Sequence, residues 1–458
     1  MDAVLRNAFL PAIDEKCRNR LSLARNSHPP TRIKGDLMRG RTLAAVAAAV
    51  TAAVAVALSG CSASGSSDGT VTLNYWTTTQ QTNTEAALKS MIADYEKANP
   101  KVKIVVTEKS TDNLKTALRQ AAGTSAMPDI FFQWSGLGLG GTYVKQGVTL
   151  DLTKYYDKYG WKSRFTNSAL GSVTQYGGYQ GVPYSADTEG IVYNKTLFQK
   201  AGITATPTTY DDLMADNEKL KAAGITPIEF GGSVNWYVMR LLDNQLETKC
   251  GATLNDKLTG LKADWSKQSC VTAAFTDLKK WATDYFNPGW TSMSDSQAQT
   301  VFYQKKAAMA LEGDWFNQFL ATNKYDPTSE LGLFAFPTGT DRIYGLQTAN
   351  YVSKTTKNPD AAAKFLDYWS SPAVQQKYSG TFSTIPVVKG VTVTESGAGL
   401  AKDFVSLATD AKGQFQNNDQ TFPLDVTTEY WRILNGVAGG SIAPADAGKQ
   451  MQTFIKNR

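Results

Sequence analysis

The stretch VTLNYWTTTQQTNTEAALKSMIADYEKANPKVKIVVTE, Val71 to Glu108, decides the fold class. VTLNYW and KIVVTE are short runs rich in β-formers. Between them Ala87, Leu88, Met91, Ile92 and Tyr95 recur at the spacing that lines one face of a helix. Asn99–Pro100 ends that helix, since a proline cannot donate the next backbone hydrogen bond. Further along, Asp112 to Ala122 reads as helix, Pro128 breaks the chain, and DIFFQW is another strand. Tyr210 to Ala223 reads as helix, then Gly224 and a strand, TPIEF. Strand, helix, strand in succession predicts parallel sheets with helices on both faces. About 400 residues follow Cys61, too many for one core, so two such lobes are expected.

Upstream of this region, Arg39 and Arg41 precede a run of Ala, Val and Leu from Leu43 to Leu58. The run closes on Leu-Ser-Gly-Cys at Cys61. A basic start, an apolar run and small residues describe a secretory signal peptide. Its ending resembles a bacterial lipobox, whose cysteine takes lipid and becomes the new N-terminus. A membrane span fits less well, because it needs about 20 apolar residues and this run is shorter. Residues 1–37 carry scattered charges and a Pro-Pro pair, and are expected to be an upstream extension, with translation starting at Met38. Residues 38–60 are then the leader, and 61–69, small and polar, a flexible tether.

Residues 1–60 hold 9 Lys+Arg and 4 Asp+Glu, which is most of the whole chain's net charge of +6. The remainder has 38 basic and 37 acidic residues, and gives no reason to expect nucleic acid as a partner. The only histidine, His28, also precedes Cys61. A mature chain without histidine cannot run a Ser-His-Asp or Cys-His mechanism, nor bind zinc through imidazole. No metal and no cofactor are expected. Cys250 and Cys270 are candidates for a disulfide outside the membrane, with two free thiols as the alternative.

Four segments occur in order: GVPYSADTEGIVYNKTLFQKAGI (Gly181 to Ile203), TTYDDLMADNEKLKAAGITPI (Thr208 to Ile228), KKAAMALEGDWFNQF (Lys305 to Phe319) and KNPDAAAKFLDYWSSPAVQQ (Lys357 to Gln376). They resemble a Pro-containing crossover with a Tyr-Asn-Lys strand end, the helix that follows, a strand with a Gly-x-Trp turn, and an Asn-Pro-capped helix with a Ser-Pro break. That succession is similar to extracellular solute-binding proteins of the carbohydrate-uptake family, the group that includes maltose-binding proteins. The resemblance implies a two-lobed, periplasmic-binding-protein-like α/β fold. Each lobe would be a mostly parallel sheet flanked by helices, with a multi-strand hinge between them. It puts crossings near Pro183–Asp187, Arg342–Tyr344 and Ser370–Pro372. One lobe is then 70–183 plus 343–370, and the other 184–342 plus 371–458. The implied role is the lipoprotein of an ABC-type sugar importer, a monomer anchored through Cys61 on the outer face of the cytoplasmic membrane. It would hold a carbohydrate between its lobes, pass it to the permease subunits and catalyse nothing.

A sugar offers hydroxyls to planar polar groups and C–H faces to aromatic rings. Candidates are therefore aromatics beside acids or amides at strand ends and in Gly-rich loops. They are Trp76 and Gln81, Trp134 before SGLGLGG, Tyr184 and Asp187 at the crossover, Trp236 after GGSVN, Glu312, Asp314 and Trp315 at the Gly-x-Trp turn, and Gln347 and Asn350 on the return. Trp161, Trp265, Trp281 and Trp369 lie in helical or charged stretches and read as packing residues. SGLGLGG lacks the lysine of a phosphate-binding loop. Two rival readings remain. A secreted glycoside hydrolase needs only two carboxylates, but Glu312 and Asp314 are too close in sequence to flank a glycosidic bond. The same fold could instead bind a non-sugar solute, for which the acids leave room if it is cationic.

Overall fold

The computed structural model describes residues 69–458 except 324, 326–327 and 383–384. The upstream extension, the leader, Cys61 and residues 62–68 of the tether lie outside the described residues. Among the described residues, no helix is long and apolar enough to cross a membrane.

Val71–Glu108 forms the expected unit. β1 (Val71–Thr78) and β2 (Val102–Lys109) pair in parallel, and the helix Thr82–Ala98 between them buries Ala87, Leu88, Met91, Ile92 and Tyr95. β3 (Ile130–Trp134) adds beside β1, also in parallel. The remaining strands are β4 (Val182–Asn194), β5 (Thr226–Ile228), β6 (Ala307–Gly313), β7 (Leu331–Phe334), β8 (Arg342–Val352) and β9 (Gly413–Gln416). Their order is β2-β1-β3-β8-β4-β6-β5, with β7 also on β4 and β9 on β8.

β4 and β8 join the lobes. They run antiparallel from Val182 opposite Asn350 to Thr188 opposite Gly345. Beyond Thr188, β4 leaves β8 and pairs antiparallel with β6, starting at Glu189 opposite Gly313. The strands are parallel within β2-β1-β3, β5-β6 and β8-β9, and antiparallel in β3-β8, β4-β8, β4-β6 and β4-β7, so the second lobe's sheet is mixed rather than mostly parallel as the sequence reading expects. The first lobe's core includes Leu73, Met91, Leu114, Phe131, Tyr351 and Phe365. The second has two cores on opposite faces of one sheet. Ile191, Met309 and Leu311 face one, and Val192 and Ala310 face the other, as strand alternation requires.

The last crossing differs from the sequence reading, which places 371–458 in the second lobe. Val374, Tyr378, Val387 and Val388 pack in the first core, and Val388 bridges to Phe165. The chain rejoins the second lobe only before Ala398 and Leu400, which pack in its outer core. Ser371–Pro372 does not end the lobe. Ser371 caps a new helix, Pro372–Lys377, by accepting from the Val374 amide. The preceding helix, Pro359–Trp369, begins on its proline, and Asn358 makes no side-chain cap. Trp161, Trp265, Trp281 and Trp369 are all buried, and Cys250 and Cys270 are joined by a disulfide.

Candidate functional site

Where β4 parts from β8, residues of both lobes enclose a cavity of about 230 Å³. The first lobe supplies the turn after β1 (Thr78 to Gln81), Trp134 at the end of β3, Lys115, Thr381 and Phe382. The second supplies Trp236, Arg240, Asp314, Trp315, Gln318 and Asp419. Tyr184, Asp187, Glu189, Leu346 and Thr348 come from the two crossing strands. The C-terminal ends of β1 and β3 open onto it, the usual place for ligands beside parallel strands.

The local sequence explains how the rings are set. Gly313 has no side chain because the Trp315 ring lies over it: a Cβ there would fall 2.1 Å from that ring. Trp315 Nε1 then donates to Glu312 Oε2 at 3.1 Å. Glu312 is a buried hub. It also accepts from Arg240 Nη1 (2.6 Å), Gln299 Nε2 (2.7 Å) and the Tyr237 hydroxyl (2.9 Å). The Arg240 guanidinium lies 5.2 Å from the Trp236 ring centre and 5.7 Å from that of Trp315. Burial works against its charge, and Glu312 and Glu189 outweigh it, so the group stays cationic.

Four of the cavity's carboxyls, Asp187, Glu189, Asp314 and Asp419, are buried. Burial, then the neighbouring Asp314 carboxyl, pushes Asp187 well above the usual carboxylate range. Asp187 accepts from the Ser185 hydroxyl at 2.6 Å and shares a side-chain hydrogen bond with Asp314. Glu189 is pushed up to about 8 by burial, against the pull of Arg240. Asp419 is raised by burial and opposed by Lys115, 3.8 Å away in the other lobe. Lys115 also lies 4.7 Å from the Trp134 ring centre. Four polar atoms of lining residues have no hydrogen-bond partner among the described residues: Glu189 Oε2, Trp236 Nε1, Arg240 Nε and Gln318 Oε1.

A second inter-lobe contact lies beside the site. The loop SGLGLGG lies against residues 419–422 of the other lobe. A Cβ on Gly136 would fall 2.3 Å from the Gln420 carbonyl oxygen, and one on Gly138 2.4 Å from that of Phe422. These glycines serve backbone approach rather than a phosphate.

Of the residues singled out in the sequence, Trp236, Trp315, Asp314, Trp134, Asp187, Tyr184 and Gln81 line the cavity. Trp76, Glu312, Gln347 and Asn350 do not. On β1 the buried parity belongs to Leu73, Tyr75 and Thr77, so Trp76 takes the other face, where Lys109 lies 4.9 Å from its ring. On β8, Leu346 and Thr348 reach the cavity, whereas Gln347 points away and donates to Ser168 Oγ at 2.7 Å. Asn350 accepts from the Tyr75 hydroxyl at 3.0 Å beneath the site. Glu312 stands behind the lining and holds it.

Arg240, Glu189, Gln318, Lys115 and Asp419 escape the sequence reading. Arg240 carried a signal: a lone charge in the apolar run YVMRLL, one turn after Trp236, must be buried with a partner. Gln318 follows Trp315 by three residues, again one turn. Lys115 and Asp419 meet only through folding and carried none.

A family model described as bacterial extracellular solute-binding protein matches residues 78–376. The multiple sugar-binding protein of Streptococcus mutans is 27% identical over 415 residues, spanning 82% of this chain and 90% of that protein. Among solved structures, a chitin oligosaccharide binding protein aligns with a TM-score of 0.77 at 24% identity, over 85% of this chain and 98% of that one. A solute-binding protein in complex with raffinose aligns at 0.67 and 21% identity, over 85% and 99%. Both structures share this two-lobed fold.

Proposed function

The chain belongs to the bacterial extracellular solute-binding protein family, and on that premise we propose that it captures a carbohydrate between its lobes for an ABC-type importer. The family works outside the cytoplasm with membrane permeases, and its members are binding proteins rather than enzymes. One observation carries the sugar reading. Trp134, Trp236 and Trp315 line a cavity in which Glu189 Oε2, Trp236 Nε1, Arg240 Nε and Gln318 Oε1 make no hydrogen bond among the described residues. Aromatic faces suit the C–H faces of a sugar ring, and unmatched donors and acceptors suit its hydroxyls. The sugar-binding names of the relatives point the same way.

A ligand held by both lobes stabilises the closed arrangement, because only that arrangement offers all its contacts at once. The permease then distinguishes loaded from empty protein by shape. The ligand-contacting set in this reading is Trp134, Trp236, Trp315, Asp187, Asp314, Tyr184 and Gln81, with Arg240, Glu189 and Gln318 added. The Leu-Ser-Gly-Cys sequence supports lipid attachment at Cys61 and anchoring to the outer face of the cytoplasmic membrane. Asp187 and Asp314 do not suit a hydrolase pair: they touch through a hydrogen bond, whereas glycosidase carboxyls stand roughly 5 Å or more apart across the scissile bond.

The test is the melting temperature of the purified protein against mono- and oligosaccharides, with amino acids and peptides as controls. A ligand at 100 times its Kd adds about 2.7 kcal/mol, a readily measured shift. A shift from a saccharide recovered uncleaved supports the reading. A shift only from charged compounds, or from none, overturns it.

A further inference from the structure

The first lobe's sheet has two ends. At one, Thr78 and Thr79 at the close of β1 and Trp134 at the close of β3 line the cavity. At the other lie the starts of β1, β2 and β3 and the end of β8, because β8 runs against β3 with Ile130 opposite Val352. The eight residues of β1, at about 3.3 Å each, set the two ends roughly 25 Å apart. The chain enters the fold at this base. Residues 69–70 lead into Val71, whose amide donates to the Lys101 carbonyl at 2.8 Å.

The base is strongly basic. Lys97 sits in the last turn of the helix Thr82–Ala98, Lys101 and Lys103 flank the first residue of β2, and Lys354 and Lys357 follow the end of β8. Lys364, on the helix Pro359–Trp369, joins them by donating to Asn99 Oδ1 at 2.7 Å. All six are exposed. The acids beside them, Glu96, Asp129 and Asp360, are each engaged. Glu96 pairs with Lys103 at 2.8 Å and accepts from the Ile104 amide. Asp129 accepts from the Asn74 amide and the Thr356 hydroxyl, and Asp360 from the Tyr155 hydroxyl. Lys97, Lys101, Lys354 and Lys357 make no ion pair among the described residues. Outside these nine residues, the chain from Cys61 onward carries 32 basic residues against 34 acidic ones, so the base differs in sign from the remainder.

We infer that the base of the first lobe is a docking surface for an anionic lipid bilayer. Eight residues, 62–69, separate Cys61 from the fold, and fully extended they reach at most about 28 Å. A lipid on Cys61 therefore brings the base to the bilayer first, and the cleft end, roughly 25 Å further along β1, would take up nearly all of that reach. Attraction between lysines and acidic headgroups fades within a Debye length, about 8–10 Å at physiological salt, so the face beside the tether is the one that can use it. Tethering also makes a weak contact effective, because docking becomes intramolecular. Docked this way, the protein holds its cleft away from the bilayer and open to the medium. The surface is separate from the carbohydrate site, and only the argument from reach rests on lipid attachment at Cys61.

The experiment is vesicle sedimentation with the chain from Ser62 to Arg458, which keeps every described residue and lacks Cys61, so no attached lipid can carry it to the membrane. The vesicles are phosphatidylcholine alone, or phosphatidylcholine and phosphatidylglycerol in roughly equal parts, each at low and high salt. A lysine near an anionic surface contributes about a fivefold factor in affinity. The combined variant Lys97→Gln, Lys101→Gln, Lys354→Gln and Lys357→Gln should therefore bind the anionic vesicles at least about 50-fold more weakly. Lys257→Gln, Lys262→Gln, Lys279→Gln and Lys402→Gln together remove the same charge from exposed positions of the second lobe, and should change binding by less than about twofold. Both variants are checked for native circular dichroism. A native protein with no preference for the anionic vesicles at low salt, or two variants that weaken binding alike, overturns the inference. Either result leaves the carbohydrate reading standing, and lipid attachment at Cys61 is read separately, from the mass of the cell-derived protein.

Discussion

Replacing Glu312 separates holding the site from touching the ligand. In the structure Glu312 is fully buried and accepts four hydrogen bonds, from Arg240, Gln299, Tyr237 and Trp315. Glu312→Ala leaves the Arg240 guanidinium with the Leu311 carbonyl, 3.0 Å away, and the Glu189 carboxyl, 3.7 Å away, and strands the Gln299 and Trp315 donors, while Tyr237 keeps Glu229. Breaking a buried ion pair by removing one partner costs about 3–5 kcal/mol. With unfolding entropy near 2.1 cal/mol/K per residue, a folded region of roughly 390 residues then melts about 4–6 °C lower. Affinity falls as well, because Trp315 and Arg240 lose the group that orients them. Glu312→Gln keeps the volume and two acceptor positions, and should recover part of the melting temperature. The assays are thermal melting without ligand and titration with a saccharide that binds the native protein. A Glu312→Ala protein that melts within about 1 °C of the native one while losing affinity would refute the reasoning. It would make Glu312 a direct ligand contact.

Trp236 is half-buried with a free indole N–H, so Trp236→Ala should weaken saccharide binding by about 30-fold or more in calorimetry while changing the ligand-free melt little. Stability should fall as pH rises from 5 to 8. The Glu189 carboxyl loses its proton near 4.5 when unfolded but keeps it to about 8 when folded, so in that window the folded state binds the extra proton. Each such group contributes a slope of about 1.4 kcal/mol per pH unit, and melting Glu189→Gln across the same range should show a flatter dependence. Gly138→Ala sets a methyl against the Phe422 and Asp419 carbonyl oxygens, at 2.4 and 2.5 Å. Overpacking of about 1–3 kcal/mol should raise Kd roughly 5- to 150-fold, and an unchanged Kd would refute the close approach of these segments on closure.

Most of the architecture was legible because it rests on local periodicity. The helix Thr82–Ala98 buries the five apolar residues whose spacing predicts it, and the strands on either side pair as the βαβ pattern requires. The crossings at β4 and β8 could be read from a proline-bearing strand and the family resemblance. The third could not, because Ser371–Pro372 looks like a boundary yet only starts another helix of the same lobe.

At the site, the residue types were legible and their directions were not. Trp134, Trp236 and Trp315 follow strands or Gly-rich turns, and those positions alone bring them to one cavity. Gln347 sits one residue out of register with Leu346 and Thr348, which reach it, and since a strand turns alternate side chains to opposite faces, that single step sends it elsewhere. Trp76 shares a strand face with Thr78, which lines the cavity, but lies two residues short of it. Local spacing thus determined the helices, the parallel strands and the aromatic, amide and acidic character of the site. Only the tertiary structure decided that Glu312 supports rather than lines the cavity and that Lys115 meets Asp419 across the lobes. The physical reason is that these depend on contacts between residues far apart in the chain, and periodicity carries no information about them.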